Sequence, residues 1–390
     1  MTRWSIRVHT MCVTHALIYL VMAVGSTAVM AATDSASTAT SLSESSKSSP
    51  AKFDFSYQLV GESLDQGEGG EKSVFGVELL GKYKQSFGRP LKVIVEAGAR
   101  LESGREELVT ADEDQFNQIF LKHAGLHYKP FSWARLRAGA LNQSFIDMPL
   151  LVESRAFPAL QQKFIYSGTS FKVGLTLQQA VPTSRSLSTK IVEDEDTPYF
   201  VSETLETKVK LGDRFSAGLK GTYFAFYQLP SVVAEQSGRH GNVVDEISVN
   251  QSYFRDPFQG YTVTLKGEYY RPGRNAVISY SYLENSYSET EDNTGFLAAL
   301  DFPIAIGKSD VILRFEQFNL GATASPAYYN SYIYGHNNRQ GYAAGLAMDL
   351  KSIGFQVAIR YVDSEVIESN ANQFDEKLVM ISAGVLDDLF

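Results

Sequence analysis

From residue 51 onward, apolar side chains recur at every second position. In 91–102, Leu91, Val93, Val95, Ala97, Ala99 and Leu101 alternate with Lys92, Ile94, Glu96, Gly98, Arg100 and Glu102. In 261–270, Tyr261, Val263, Leu265, Gly267 and Tyr269 alternate with Thr262, Thr264, Lys266, Glu268 and Tyr270. A period of two belongs to a strand whose two faces meet different surroundings. Here one face is apolar and aromatic, and the other is charged, polar or glycine.

Sixteen segments carry the pattern: 53–61, 73–86, 90–103, 116–129, 133–144, 161–168, 171–182, 199–211, 214–228, 260–271, 276–286, 292–303, 309–320, 338–350, 353–365 and 376–390. In 116–129 the alternation fails at Ile119, Phe120 and Leu121, which predicts a β-bulge. Links near Gly88, Pro130, Thr169, Gly212, Pro272, Gly307 and Lys351 are short, and those between them are mostly long. Regular alternation of tight turns and long loops describes an antiparallel meander. An even count puts both ends on the turn side. Residues 229–259 are read as one large loop with room for its own hairpin. A strand at 243–254 would move the 321–337 loop to the turn side.

Strands of this length exceed the five or six residues usual in a sandwich and suit tilted membrane-spanning strands. No fixed repeat supports a solenoid. No segment after residue 50 reaches the roughly 18 consecutive apolar residues of a membrane helix. The expected fold is all-β: a transmembrane antiparallel up-and-down β-barrel of about sixteen strands, within a range of roughly 14–18. Glu203, Glu284 and Asp388 fall in apolar registers, each near a strand end, where an outward charge costs least.

The N-terminus adds an address. Arg3 and Arg7 precede an apolar run from Ala16 to Val24 and a small-residue stretch ending at Ala31-Ala32, the pattern of a cleaved export signal. Residues 1–31 are read as that signal. Residues 32–50, rich in Ser and Thr and without aromatics, form a disordered lead-in, and residues 51–390 form the barrel. The one cysteine, Cys12, lies in the signal, so disulfide and thiolate chemistry are excluded.

In these features the chain resembles the porin class of Gram-negative outer-membrane barrels. The resemblance covers residues 53–390 and rests on architecture, without a family-specific motif. It implies outer-membrane lipid and lipopolysaccharide as surroundings, and the barrel-assembly machinery as a partner that reads the terminal Phe390. Val379, Ile381, Ala383 and Val385 form the apolar face before it, so seating Phe390 outward needs a phase change near Asp387 and Asp388. The resemblance also implies passive diffusion of small hydrophilic solutes. Many such channels are homotrimers, but no feature of this sequence fixes the oligomeric state.

A sixteen-strand barrel encloses an aqueous lumen. The register turns fifteen basic residues inward: Lys82, Lys84, Lys92, Arg100, Arg135, Arg137, Lys163, Lys172, Lys208, Lys210, Arg214, Lys220, Lys266, Arg314 and Arg360. Nine acids accompany them: Asp54, Glu78, Glu96, Glu102, Glu206, Glu268, Asp301, Glu316 and Asp349. The whole chain carries −9, and the excess acid sits in the loops. Two readings stay open, an anion-preferring wall and a ladder of cross-strand ion pairs. The third loop, 145–158, is apolar and contains Pro149 and Pro158. In the porin class such a loop often narrows the lumen, with Asp147, Glu153 and Arg155 here facing Arg135 and Arg137; packing at the rim is the alternative. The acidic loops lack the ligand spacing of a calcium loop.

Enzymatic chemistry finds no support. Gly335-His336-Asn337-Asn338-Arg339 resembles the His-x-Ser-Asn stretch of outer-membrane lipid hydrolases, but Asn338 replaces the serine. His123 and His127 stand four apart, which on a strand separates them by roughly 13 Å, so no metal site is expected. No cofactor motif and no nucleic-acid surface appear. Two rival functions remain: a plugged surface adhesin or structural barrel, and an exporter of an acidic polysaccharide.

Overall fold

The structure is a computed structural model that describes residues 51–88, 90–108, 117–183, 195–248, 251–271, 275–307, 309–350 and 354–385. The export signal, the lead-in and Phe390 with Asp387 and Asp388 lie outside the described residues.

Sixteen strands close into one antiparallel barrel. They are β1 (Lys52–Asp65), β2 (Glu71–Phe87), β3 (Leu91–Glu106), β4 (Asn117–Phe131), β5 (Ala134–Asn142), β6 (Ala156–Ser167), β7 (Phe171–Ala180), β8 (Tyr199–Leu211), β9 (Phe215–Tyr227), β12 (Gln259–Tyr269), β13 (Ala276–Asn285), β14 (Thr294–Ile306), β15 (Ser309–Leu320), β16 (Arg339–Leu350), β17 (Phe355–Val366) and β18 (Glu376–Gly384). Each pairs with its neighbour along the chain, and β1 pairs with β18 from Gln58–Gly384 to Asp65–Lys377, so no edge is left open. The large loop between β9 and β12 carries helix α1 (Ser231–Arg239), which the sequence reading did not expect. It also carries the hairpin β10 (Val244–Ser248) and β11 (Gln251–Phe254).

Tight turns at one end use glycine where the backbone needs it: Gly212 and Gly307 take φ of 77° and 63°. Helix α1 and the β10–β11 hairpin lie at the other end.

The outward face is oily. Phe53, Phe55, Leu101, Ile119, Leu205, Leu265 and Phe315 are more than half exposed. A continuous apolar wall of this kind is unstable in water and suits lipid. Aromatic pairs mark its two borders. On the turn side stand Phe131–Trp133, stacked at 5.2 Å, and Phe215–Tyr269 at 4.8 Å. On the loop side stand Tyr199–Tyr227 at 4.5 Å and Tyr342–Tyr361 at 6.4 Å. Such girdles are characteristic of transmembrane barrels.

Two details refine the expected pattern. The bulge in β4 falls at Lys122: Glu96 pairs with His123 and Ala97 with Leu121. It resets the phase, so that Ile119 and Leu121 before it and Leu126 and Tyr128 after it all face outward. Strand β6 begins at Ala156, five residues earlier than expected, because Phe157 is fully buried in the interior and Pro158 still pairs with Ala140. The third loop therefore ends at Arg155, and Ala156–Pro158 belong to the wall. Proline is tolerated at the start of a strand, which hid this boundary.

Candidate functional site: the lumen

The barrel interior is divided. One part is an apolar core shared by the wall and the loops. It joins Phe157 of β6, Phe200 of β8, Phe224 and Phe226 of β9, Leu283 of β13, Phe318 and Leu320 of β15, Val362 of β17 and Leu378 of β18. Strands this far apart around the ring share a core only in the interior. Its loop members are Ile146, Met148, Leu150, Leu151 and Val152 of the third loop, Val233 of α1, and Ala324, Tyr329 and Tyr334 of loop 321–338. The third loop's apolar sequence follows directly from this position. It is folded inward, away from water.

Polar contacts lock the loops together. Glu153 N–H donates to the Tyr329 carbonyl (2.8 Å) and Ser331 N–H to the Pro149 carbonyl (3.0 Å). Ser325 Oγ donates to the Leu150 carbonyl at 2.7 Å. Asn242 Nδ2 donates to the carbonyls of Ala322 (2.6 Å) and Ser325 (2.9 Å), and its Oδ1 accepts from Ala327 N–H (2.7 Å). A chain of amides fixes the third loop to the wall: Gln178 Nε2 donates to Gln143 Oε1 (2.6 Å), and Gln161 Nε2 to Gln178 Oε1 (3.0 Å). These side chains are buried, where an unmade hydrogen bond would cost about 1–3 kcal/mol.

The other part of the wall is charged. Lys82 pairs with Glu96 (2.8 Å), Lys163 with Glu206 (2.7 Å), Lys208 with Glu268 (2.6 Å), and Lys84 with Asp54 (3.4 Å). Arg100 pairs with Glu102, and Arg360 with Glu316. Arg314 lies 3.2 Å from both Asp301 and Glu316. Seven of the fifteen inward basic residues are thus held by wall carboxylates, six of them across strands and Arg100 within β3. Among the described residues, Lys92, Arg135, Arg137, Lys172, Lys210 and Lys266 make no ion pair. Arg137 donates instead to Gln161 Oε1 at 3.3 Å. Arg214 lies in the turn between β8 and β9.

The three loop charges take different positions. Asp147, at φ 61°, is exposed and pairs with Lys220 of β9 at 3.2 Å; Lys220 also donates to the Phe145 carbonyl (3.1 Å). Glu153 accepts from Ser331 Oγ (3.1 Å), and burial pushes its carboxyl above the usual range against the pull of Arg155. Arg155 lies over the Tyr328 ring, 5.0 Å from its centre.

Sequence reasoning missed two features. Tyr334 donates to Glu316 at 3.1 Å and accepts from Arg360, so loop 321–338 docks on the wall charges. Its six residues from Tyr328 to Ile333 include three tyrosines, an aromatic content unlike a solvated loop and a readable signal. The second concerns His123 and His127. The estimate of roughly 13 Å follows the backbone, but both rings bend over Gly125 and their Nε2 atoms lie 2.8 Å apart.

Among solved structures the chain is similar to the high-pH form of Pseudomonas putida OprB, with a TM-score of 0.56, 12% identity, and 85% of this chain and 93% of that one covered. It is also similar to a loop-deletion mutant of OmpT, an outer membrane protein of Vibrio cholerae (TM-score 0.51, 13% identity, 86% and 99% covered). A third is Salmonella typhi OmpF in complex with daunomycin (0.50, 12%, 85% and 97%). The fold is that of the outer-membrane porins. No protein-family model and no curated protein matches the sequence. Within this fold the described residues hold both the multi-loop apolar core and six wall cations that make no ion pair among them.

Proposed function

We propose that the chain is an outer-membrane diffusion channel for small hydrophilic solutes that prefers anions. The observation that carries this is the set of wall cations that make no ion pair among the described residues: Lys92, Arg135, Arg137, Lys172, Lys210 and Lys266. Of the nine inward acids, Glu78 is the one for which no interaction is seen among the described residues. An unbalanced positive lining lowers the barrier for anions. In this reading Lys82, Arg100, Lys208, Arg314 and Arg360 line the lumen as neutralised pairs. Asp147 and Lys220 carry the charge of the constriction, and Glu153 and Arg155 hold its loop from behind. Export with cleavage after Ala31 or Ala32, recognition of Phe390 by the assembly machinery, and a homotrimeric state complete the proposal.

The apolar core favours a second reading, a plugged barrel acting as an adhesin or structural protein. An exporter of acidic polysaccharide would use the same basic sector. Planar-bilayer recording of the refolded chain separates these. Discrete conductance steps with an anion-side reversal potential in a salt gradient support the proposal. Cation selectivity sinks the anion preference, and silence supports the plug. Block by an acidic oligosaccharide, with little passage of chloride, identifies the exporter.

A further inference from the structure

We propose that His123 and His127 form a lumen-facing site for a divalent transition-metal ion, with Cu²⁺ the best fit. Across the neighbouring strands His123 faces Glu96, and His127 faces Lys92 and Arg137, so both rings point inward. The ring centres are 5.0 Å apart, the planes cross at 61°, and the two Nε2 atoms approach to 2.8 Å. The residue between them on the same face is Gly125. A Cβ there would stand 3.2 Å from His123 Nε2 and 2.9 Å from Leu141 Cδ2. The strand is therefore bare at the one position where a side chain would hold the rings apart.

The spacing selects a geometry. Two nitrogens bound at roughly 2.0 Å and at right angles lie about 2.8 Å apart, whereas a tetrahedral angle needs about 3.3 Å. The pair thus matches neighbouring corners of a tetragonal site, the preference of Cu²⁺ and Ni²⁺, and Cu²⁺ binds nitrogen sites more tightly than Ni²⁺ or Zn²⁺. Among the described residues no three or more His, Cys, Asp or Glu side chains converge closely enough to hold a metal ion, so the other corners belong to water or to solute oxygens. Glu96 is held by Lys82 at 2.8 Å and lies 3.8 Å from Lys122. Lys92 and Arg137 oppose the bare cation and favour an anionic co-ligand on the open corners. Asn142 N–H approaches His123 Nδ1 at 3.5 Å, which makes His123 the ring that donates Nε2–H to His127. Loading shifts that proton to Nδ1, gives up the long Asn142 contact and puts the metal in the proton's place.

The test is titration of the full chain, folded in detergent micelles, with Cu²⁺ alone, read by electron paramagnetic resonance. One equivalent should bind with hyperfine splitting from two imidazole nitrogens. His123→Ala and His127→Ala should each weaken binding by about tenfold or more and leave a single nitrogen. Gly125→Val keeps both histidines but forces the rings apart and should weaken binding similarly. Heat-modifiable gel mobility reports that each variant is folded. Absence of binding, a spectrum without nitrogen splitting, or unchanged affinity in Gly125→Val overturns the proposal. So does copper that persists in the His123 and His127 variants but leaves with His336→Ala, because it would then sit on the neighbouring His240–His336 pair, whose ring centres are 4.2 Å apart with the planes tilted by 36°.

Discussion

At the scale of single residues, the interior loops are held by packing that is nearly complete and polar satisfaction that is not. Tyr329 is fully buried, packed edge-on against Phe157 and stacked on Phe226, yet among the described residues its hydroxyl has no hydrogen-bond partner. A buried hydroxyl left unpaired carries a desolvation cost without return. Tyr329→Phe should therefore raise the thermal stability of the folded barrel, by about 1 kcal/mol; a loss of stability would reveal a partner for the hydroxyl. Leu151→Ala, at a fully buried site, should instead cost about 2–5 kcal/mol of loop docking. Glu153 adds a pH dependence. Burial raises its carboxyl pKa above the ordinary 4.5. The folded state therefore binds this proton more tightly than the unfolded state. That contribution is full below pH 4.5 and is lost as pH rises through the elevated value. Thermal midpoints in micelles should fall across that interval in the wild type, and Glu153→Gln should flatten this component of the profile.

At the scale of elements, one inserted residue decides the orientation of half a strand. Lys122 is the extra residue of β4, and its bulge keeps apolar groups outward on both sides. Deleting Lys122 would turn Leu126 and Tyr128 inward and His123 and His127 toward lipid, because a one-residue slip exchanges the faces. The deletion variant should give a strongly reduced yield of folded, heat-modifiable barrel. A normal yield would mean that the register recovers elsewhere. The strands themselves were legible in the sequence because lipid on one side and polar lumen on the other enforce a period of two. The bulge was legible as a break in that period. Strand β6 was misjudged at its start, because Pro158 and the apolar residues before it belong to an inward-packed corner that resembles a loop. Helix α1 was missed because its pattern answers to contacts inside the lumen. The His123–His127 approach was missed because strand spacing measures backbone, whereas two long side chains flanking a glycine close the gap.

At the scale of the whole molecule, the barrel and its contents have separable sources of stability. The ladder from β1 through β18 closes without the loops, and its outer face draws its stability from lipid. The interior core adds apolar burial, whereas the strands pair with one another around the whole ring. Excising residues 326–334 and bridging them with a short Gly-Ser linker should therefore leave a folded barrel while removing Tyr329, Tyr332 and Tyr334 from the lumen. Without Tyr334, Glu316 and Arg360 lose a partner but keep each other. Without Tyr329, the ring faces of Phe157 and Phe226 become accessible to water. Single-channel conductance of this variant should rise several-fold over the wild type if this loop obstructs the passage. Anion preference should persist, because Lys92, Arg135 and Arg137 belong to β3 and β5 and stay in place when the segment is removed. An unchanged conductance would mean that the wild-type passage runs wholly along the charged sector and bypasses loop 321–338. Conductance gained together with lost anion preference would show instead that selectivity resides in the loop core, and the wall cations would then act only as structural charge.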